Sequence, residues 1–236
     1  MRALLVAGLV VSLLALGAVP ASADDAKPSG GFTGFDVSSL GCGAERPYGA
    51  FGVAGVNAGR PFHYNPCLAA QFRTGEAVYV NTAYDDAYLD RIRPDCAQSA
   101  KGLELSRREQ DAWAVGCSEA EGSIAYAGAV LGAQPAMWWL DVEILNSWSS
   151  ERLNRRALEG VVAALQPTGR PIGVYSTAYQ WGVITGGWTP PAVTADWVAG
   201  ADSAEDAPLR CESSFTGAPV WLVQYTKGTA DFDFAC

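Results

Sequence analysis

The run Trp138-Trp139-Leu140-Asp141-Val142-Glu143 closes an apolar stretch with two carboxylates one residue apart. On a strand, side chains at i and i+2 share a face, so Asp141 and Glu143 converge on one site while Val142 turns away. Two carboxylates held close repel and one pKa rises. A protonated acid beside an ionised partner is the pair that glycosidic bond cleavage uses. An isolated D-x-E is more often two solvated carboxylates at a strand end. Here the ends of other apolar runs carry Asp36, Asn57, Asn81, Tyr175 and Gln224, so the pair has company.

The elements that must position these groups are short and apolar. Phe32–Val37, Phe51–Asn57, Ala77–Asn81, Trp138–Glu143, Pro171–Ser176, Asp196–Ala199 and Pro219–Tyr225 read as seven strands of near-continuous apolar character, which suits strands buried on both faces. Between them, Ser118–Leu131 reads as an Ala-rich helix ended by Gly132 and Pro135. Glu151–Gln166 reads as an amphipathic helix, with Leu153, Ala157, Leu158, Val161, Val162 and Leu165 at helical spacing. Ser149 or Ser150 is placed to cap it, and Pro167 and Gly169 stop it. Strands alternating with helices predict parallel β/α units, and seven strands in a chain of this length predict an α/β fold closed as a single-domain TIM-type β/α barrel. An open doubly wound sheet is the alternative. In a barrel the polar strand ends gather at the C-terminal face.

Six cysteines, Cys42, Cys67, Cys96, Cys117, Cys211 and Cys236, form an even set. In an oxidising compartment they imply three disulfides, and pairing nearest neighbours gives Cys42 with Cys67, Cys96 with Cys117 and Cys211 with Cys236. No C-x-x-C occurs, and His63 is the only histidine, so a metal site built on Cys and His is not expected. No G-x-S-x-G occurs either, which argues against a serine hydrolase. No cofactor is expected.

Arg2 precedes an apolar run from Ala3 to Leu16, and Ala21-Ser22-Ala23 supplies a cleavage signature. Residues 1–23 therefore read as a signal peptide and 24–33 as a flexible lead-in, with the barrel over 34–236. A retained anchor is the alternative, although the apolar core is short for a span. The expected product is exported to the extracellular space or the cell wall, and it spans no membrane once the leader is removed. Sixteen Lys and Arg stand against 25 Asp and Glu in the full chain, a net charge of −9. No basic cluster could neutralise a row of phosphates, which excludes nucleic acid as an expected partner.

Gly34-Phe35-Asp36-Val37-Ser38, Leu140-Asp141-Val142-Glu143, Val174-Tyr175-Ser176, and Val223-Gln224-Tyr225 followed by Phe232-Asp233 resemble, in order and spacing, the glycoside hydrolases of family 25. The resemblance runs along essentially the whole mature chain. It implies a modified β/α barrel with reduced helix content and hydrolysis of peptidoglycan after N-acetylmuramic acid by a lysozyme-like enzyme; a monomer is expected. It makes Glu143 the general acid, with Asp141 beside it as a stabilising or orienting carboxylate and Asp36 and Asp233 completing the acidic set. Asp231, two residues from Asp233, competes for that last role. Asn81, Tyr175, Trp181, Gln224 and Tyr225 are the expected substrate contacts, Tyr175 and Tyr225 foremost among the aromatics. The chain departs from the family at Val80-Asn81-Thr82-Ala83-Tyr84 and in its cysteine-bearing loops around 42–67 and 96–117.

A catalytically inactive barrel that keeps a glycan groove is the competing class. A disulfide-stabilised inhibitor or adhesin comes last, because it leaves the acids unexplained. Burying several like charges costs stability unless a reaction uses them, which favours the enzyme.

Overall fold

The computed structural model describes residues 23–236. The expected leader lies, apart from Ala23, outside the described residues. The chain forms a closed eight-stranded barrel with strands in sequential order. After one helical turn, α1 (Ala23–Ala26), come β1 (Thr33–Val37), β2 (Gly52–Gly55), α2 (Leu68–Gln71) and β3 (Ala77–Asn81). Then follow α3 (Pro94–Lys101), α4 (Arg107–Leu131), β4 (Trp138–Asp141), α5 (Glu151–Leu165), β5 (Ile172–Ser176), α6 (Ala178–Thr185), β6 (Ala195–Ala201), β7 (Val220–Lys227) and β8 (Ala230–Ala235). Neighbours from β1 to β7 pair in parallel. The last strand, β8, runs antiparallel to both β7 and β1 and closes the barrel.

The expected barrel is thus present, with one strand more than the seven read from sequence. β8 is joined to β7 by the two-residue turn Gly228-Thr229, where Gly228 takes φ +68, the left-handed conformation that tight hairpins need. Asp231-Phe232-Asp233-Phe234 alternates with period two, so a strand signal exists there but is short. Helical cover is uneven. Only 3-10 turns and irregular chain join β1 to β2, and β6 connects to β7 without an α-helix.

The helix α4 starts at Arg107, eleven residues before the stretch read as helical. Ser106 and Glu109 form a capping box there, the Ser106 N–H donating to Glu109 Oε2 at 3.1 Å. Its first half buries small residues, Ala112, Ala114 and Gly116, instead of a wide apolar stripe, which is why periodicity missed it. Those small residues let α4 and α5 touch backbone to backbone. A Cβ on Gly116 would lie 1.9 Å from the Ala157 carbonyl oxygen, and one on Gly160 would lie 2.0 Å from that of Trp113. α5 buries the predicted stripe. Ser150 is its N-cap but makes no side-chain cap bond; Asn154 Oδ1 accepts from the Ser149 N–H at 2.9 Å instead.

The core has two main parts. Outward strand side chains such as Val78, Val80, Leu140 and Val174 pack against α4, α5 and α6. The barrel interior is filled by Tyr79, Met137, Trp139, Trp197, Trp221 and Leu222. Small residues on neighbouring strands make the room: a Cβ at Gly173 would strike the Trp139 ring at 2.2 Å, and one at Gly55 would strike Tyr79 at 2.6 Å. Three disulfides, Cys42–Cys67, Cys96–Cys117 and Cys211–Cys236, tie loops and the C-terminus to this frame.

Candidate active site

The parallel strands end on one face, and there the barrel interior opens into a cleft of about 160 Å³. Asp36, Ser38, Tyr79, Asp141, Glu143, Tyr175, Trp197, Gln224 and Asp231 line it. Period-two alternation explains most of this set. Asp36 points inward from β1 while Phe35 faces out under the Arg46 guanidinium, 4.5 Å from its ring centroid. On β7, Gln224 faces the cleft, and on β8 Asp231 and Asp233 share the inner face.

Asp141 is the last residue of β4, and Glu143 lies just past the strand. The intervening backbone is held at every step. The Asp141 carbonyl accepts from Thr82 Oγ1 at 2.7 Å and the Thr82 N–H at 3.0 Å, and the Val142 carbonyl accepts from Ser176 Oγ at 2.7 Å. The Glu143 carbonyl accepts from Trp148 Nε1 at 2.7 Å. Gln180 on α6 accepts the Ile144 N–H at 2.7 Å, and its side-chain amide favours the Glu143 carboxyl as an anion. Both carboxyls are therefore set by a rigid frame, which is what positions a proton donor.

Across the cleft a hydrogen-bond relay runs from Tyr175 to Asp36. The Tyr175 hydroxyl donates to Gln224 Oε1 at 2.7 Å, and Gln224 Nε2 donates to Asp36 Oδ2 at 2.8 Å. Asp141 Oδ2 accepts from Asn81 Nδ2, while its buried Oδ1 has no hydrogen-bond partner among the described residues. Asn81 is held in turn by Asn57, whose Oδ1 accepts the Asn81 N–H at 2.8 Å and whose Nδ2 donates to the buried Glu119 at 2.6 Å.

Burial dominates the electrostatics. It pushes Asp36 up to about 7, helped by the nearby Asp231 and Glu143 charges and opposed by the Gln224 hydrogen bond. Asp141 is raised well above the usual carboxylate range by burial, then by Glu143 and Asp36. Glu143 is raised by burial and by Asp231, with the Gln180 bond working against this. All three carboxyls thus hold protons more readily than free ones, and the titration belongs to the group. The sequence predicts an ionised Asp141 beside a protonated Glu143; in the fold the more deeply buried Asp141 is the costlier of the two to ionise.

The expected site residues divide. Asp36, Asp141, Glu143, Tyr175 and Gln224 come together on the cleft, and Asn81 stands behind Asp141. Asp233 does not reach the cleft: it is fully buried below it, and its Oδ1 accepts from Trp197 Nε1 at 2.8 Å. The terminal acid lining the cleft is Asp231. Tyr225 is a correction as well. One residue from Gln224, it points to the outside of the barrel, buried with Val198 and Val223 and stacked on Phe232 at 5.9 Å. Trp181 is also core, packed in the helix layer with its Nε1 donating to the Trp188 carbonyl at 2.8 Å. Ser38, Tyr79, Trp197 and Gln180 were missed. Trp197 forms the floor, with the Tyr175 ring edge-on at 4.6 Å. Among the described residues no group of three or more His, Cys, Asp or Glu side chains is arranged to hold a metal ion.

A family model described as lysozyme-like protein 1 matches residues 130–200, the segment that carries Asp141, Glu143, Tyr175 and Gln180. The chain is 37% identical over 87 residues to a Dictyostelium discoideum protein named probable GH family 25 lysozyme 2, a match covering 37% of this chain and 41% of that one. It is 38% identical over 74 residues to probable GH family 25 lysozyme 4 of the same organism, covering 31% and 34% of the two chains. The matches thus span well under half the length of these curated relatives. In fold, the modular autolysin LytC of Streptococcus pneumoniae, solved with a synthetic peptidoglycan ligand, superposes with a TM-score of 0.54 at 14% identity over 86% of this chain and 46% of that one. The family model's match thus includes the paired acids, while likeness of fold extends over most of the barrel.

Proposed function

We propose that this chain is an exported glycoside hydrolase that cleaves peptidoglycan after N-acetylmuramic acid, with Glu143 as general acid. The observation that carries the reading is the cleft at the C-terminal ends of the barrel strands, where a partly buried Glu143, its pKa raised by burial, is fixed beside Asp141 and opposite Asp36. A glycosidic oxygen leaves poorly unless protonated, so Glu143 gives its proton to that oxygen as the bond to the anomeric carbon breaks and the electron pair stays with the leaving sugar. Positive charge then develops on the sugar ring. The reacting form carries Asp141 as an anion, its proton released to solvent before the bond breaks, and this anion stabilises the ring most strongly in the transition state; water then adds to the anomeric carbon and gives a proton to the Glu143 carboxylate, restoring the acid. The Asp141 Oδ1 is also an acceptor for the amide N–H of the substrate's acetamido group. Asp36, held by Gln224 and Tyr175, adds to the field on the cationic sugar. Three disulfides fit an oxidising, extracellular compartment.

The test is release of reducing sugar and muropeptides from purified peptidoglycan by the mature protein, beside Glu143→Gln with matched thermal melts. New muramic reducing ends are expected from the wild type, with the rate in the variant down by about 10²–10⁴. No release by a folded wild type would leave a glycan-binding barrel as the better account.

A further inference from the structure

The helix α4 buries a carboxyl that the reaction does not use. Glu119 lies outside the barrel and is only 2% exposed, in a stretch of the helix whose other buried residues are small. Burying an acid is costly unless hydrogen bonds hold it, and three donors do. Asn57 Nδ2 donates to Oε1 at 2.6 Å and Ser123 Oγ to the same oxygen at 2.8 Å, while Oε2 accepts the Phe62 N–H. Phe62 has φ +60, in the left-handed region that a bulky side chain rarely adopts. Such a conformation persists only where its surroundings fix it, and Glu119 is part of what fixes it here.

The same carboxyl sets the orientation of Asn57. β2 pairs with β3 as far as Gly55 and Tyr79, and the Val56 N–H donates to the Tyr79 carbonyl at 2.9 Å. There β2 turns away, its Val56 carbonyl accepting the Asn65 N–H at 2.9 Å. The Asn81 N–H of β3 therefore takes the Asn57 side chain in place of a strand carbonyl, with Oδ1 at 2.8 Å. An amide group is nearly symmetric in shape, and turned over it would set its NH2 against the Asn81 N–H. Glu119 disfavours that state, because the turned amide would also set Oδ1 against the Glu119 oxygens. On its other side Asn81 is paired with Asp141 of β4, and its Nδ2 donates to Asp141 Oδ2.

We infer that Glu119 is a positioning residue of the active site: through Asn57 it fixes the end of β3, so that Asn81 keeps its amide on Asp141 and favours that carboxyl as an anion. This rests on the proposed function for the use made of Asp141, but the hold itself is read without turnover. Asp141 is also faced by Glu143, Asp36, Tyr79 and Tyr175, and Glu119 by His63 and Tyr64, all of which the test leaves in place.

The test is titration of the Asp141 carboxyl by carbon-13 NMR in the full mature protein, labelled at aspartate and assigned with Asp141→Asn. It compares wild type, Glu119→Ala, Asn57→Ala and the double variant. Glu109→Ala controls for loss of a buried acid from the same helix, since Glu109 pairs with Arg152 and Arg156 instead. Glu119→Gln, which keeps the volume and one acceptor oxygen, replaces Glu119→Ala if melts show the latter unfolded. Loss of the Asn81 hydrogen bond is expected to raise the Asp141 titration by about one pH unit in each single variant and by no more in the double one. Glu109→Ala should leave it unmoved. Simple removal of a negative charge would shift Asp141 the other way. On peptidoglycan, kcat should fall about tenfold with KM changed less than twofold. An unchanged or lowered Asp141 titration in the folded Glu119 variant, shifts that add in the double variant, or an effect on KM alone would overturn the inference. No turnover by the wild type would count against the hydrolase reading alone.

Discussion

Replacing Asp36 with Asn tests whether the cleft acids are held neutral by burial. Asp36 goes from an ordinary 3.8 to about 7 in the fold, chiefly because it is desolvated. An acid raised in the folded state stabilises the fold fully below its unfolded pKa, and that contribution is lost as pH rises through the folded pKa. The loss here runs from about pH 4 to about pH 7. Between pH 5 and pH 8 the chain crosses two of those units, at about 1.4 kcal/mol each, so Asp36 withdraws on the order of 2–3 kcal/mol. The amide introduced by Asp36→Asn keeps an acceptor for Gln224 Nε2 and carries no proton to lose. Asp141, Glu143 and Asp233 shift in the same direction, so the wild type loses more in total, and the informative quantity is the difference between the two proteins. For a domain of this size about 2–4 °C of Tm accompanies each kcal/mol, so D36N should flatten the fall in Tm from pH 5 to pH 8 by about 4–12 °C. Calorimetric melts of both proteins at the two pH values measure this directly. A fall in D36N equal to that in the wild type would refute the argument and mean that water reaches Asp36 freely.

Two further predictions concern the frame. Gly160→Ala drives a methyl into the Trp113 carbonyl at the α4–α5 contact, and because the obstacle is backbone the helices must separate; a loss of about 1–3 kcal/mol in urea unfolding is expected, and none would mean the two helices are not in such close contact. Cys42→Ser with Cys67→Ser opens a loop with a sequence separation of 25, for which chain entropy gives a loss of about 3 kcal/mol under oxidising conditions; because the other two bridges close loops of similar length, the fully reduced wild type should melt well below the double variant, and equal melts would refute the entropic account.

The chain's order of apolar runs, its Gly and Pro punctuation and its six cysteines were enough to determine alternating β/α units, an even set of cysteines fit for three bridges and the place of Asp36, Asp141 and Glu143 at strand ends, and they favoured the barrel and the nearest-neighbour pairing that the fold adopts. Those are local properties: strand period two, helix period 3.6, and short loops between partners. The first half of α4 escaped because its interface is made of Ala and Gly, whose value lies in what they let another helix approach. β8 escaped because six residues with two acids look like an exposed tail until they are seen closing a barrel. The division of Asp231 from Asp233, and of Gln224 from Tyr225, was decided only by tertiary structure. In each pair the residues differ in depth or in face, and those are set by strand register, by how far Trp197 fills the interior, and by where the barrel mouth falls. The same holds for the proton affinities: a carboxylate's identity is written in the chain, but its desolvation is the sum of everything the fold packs around it.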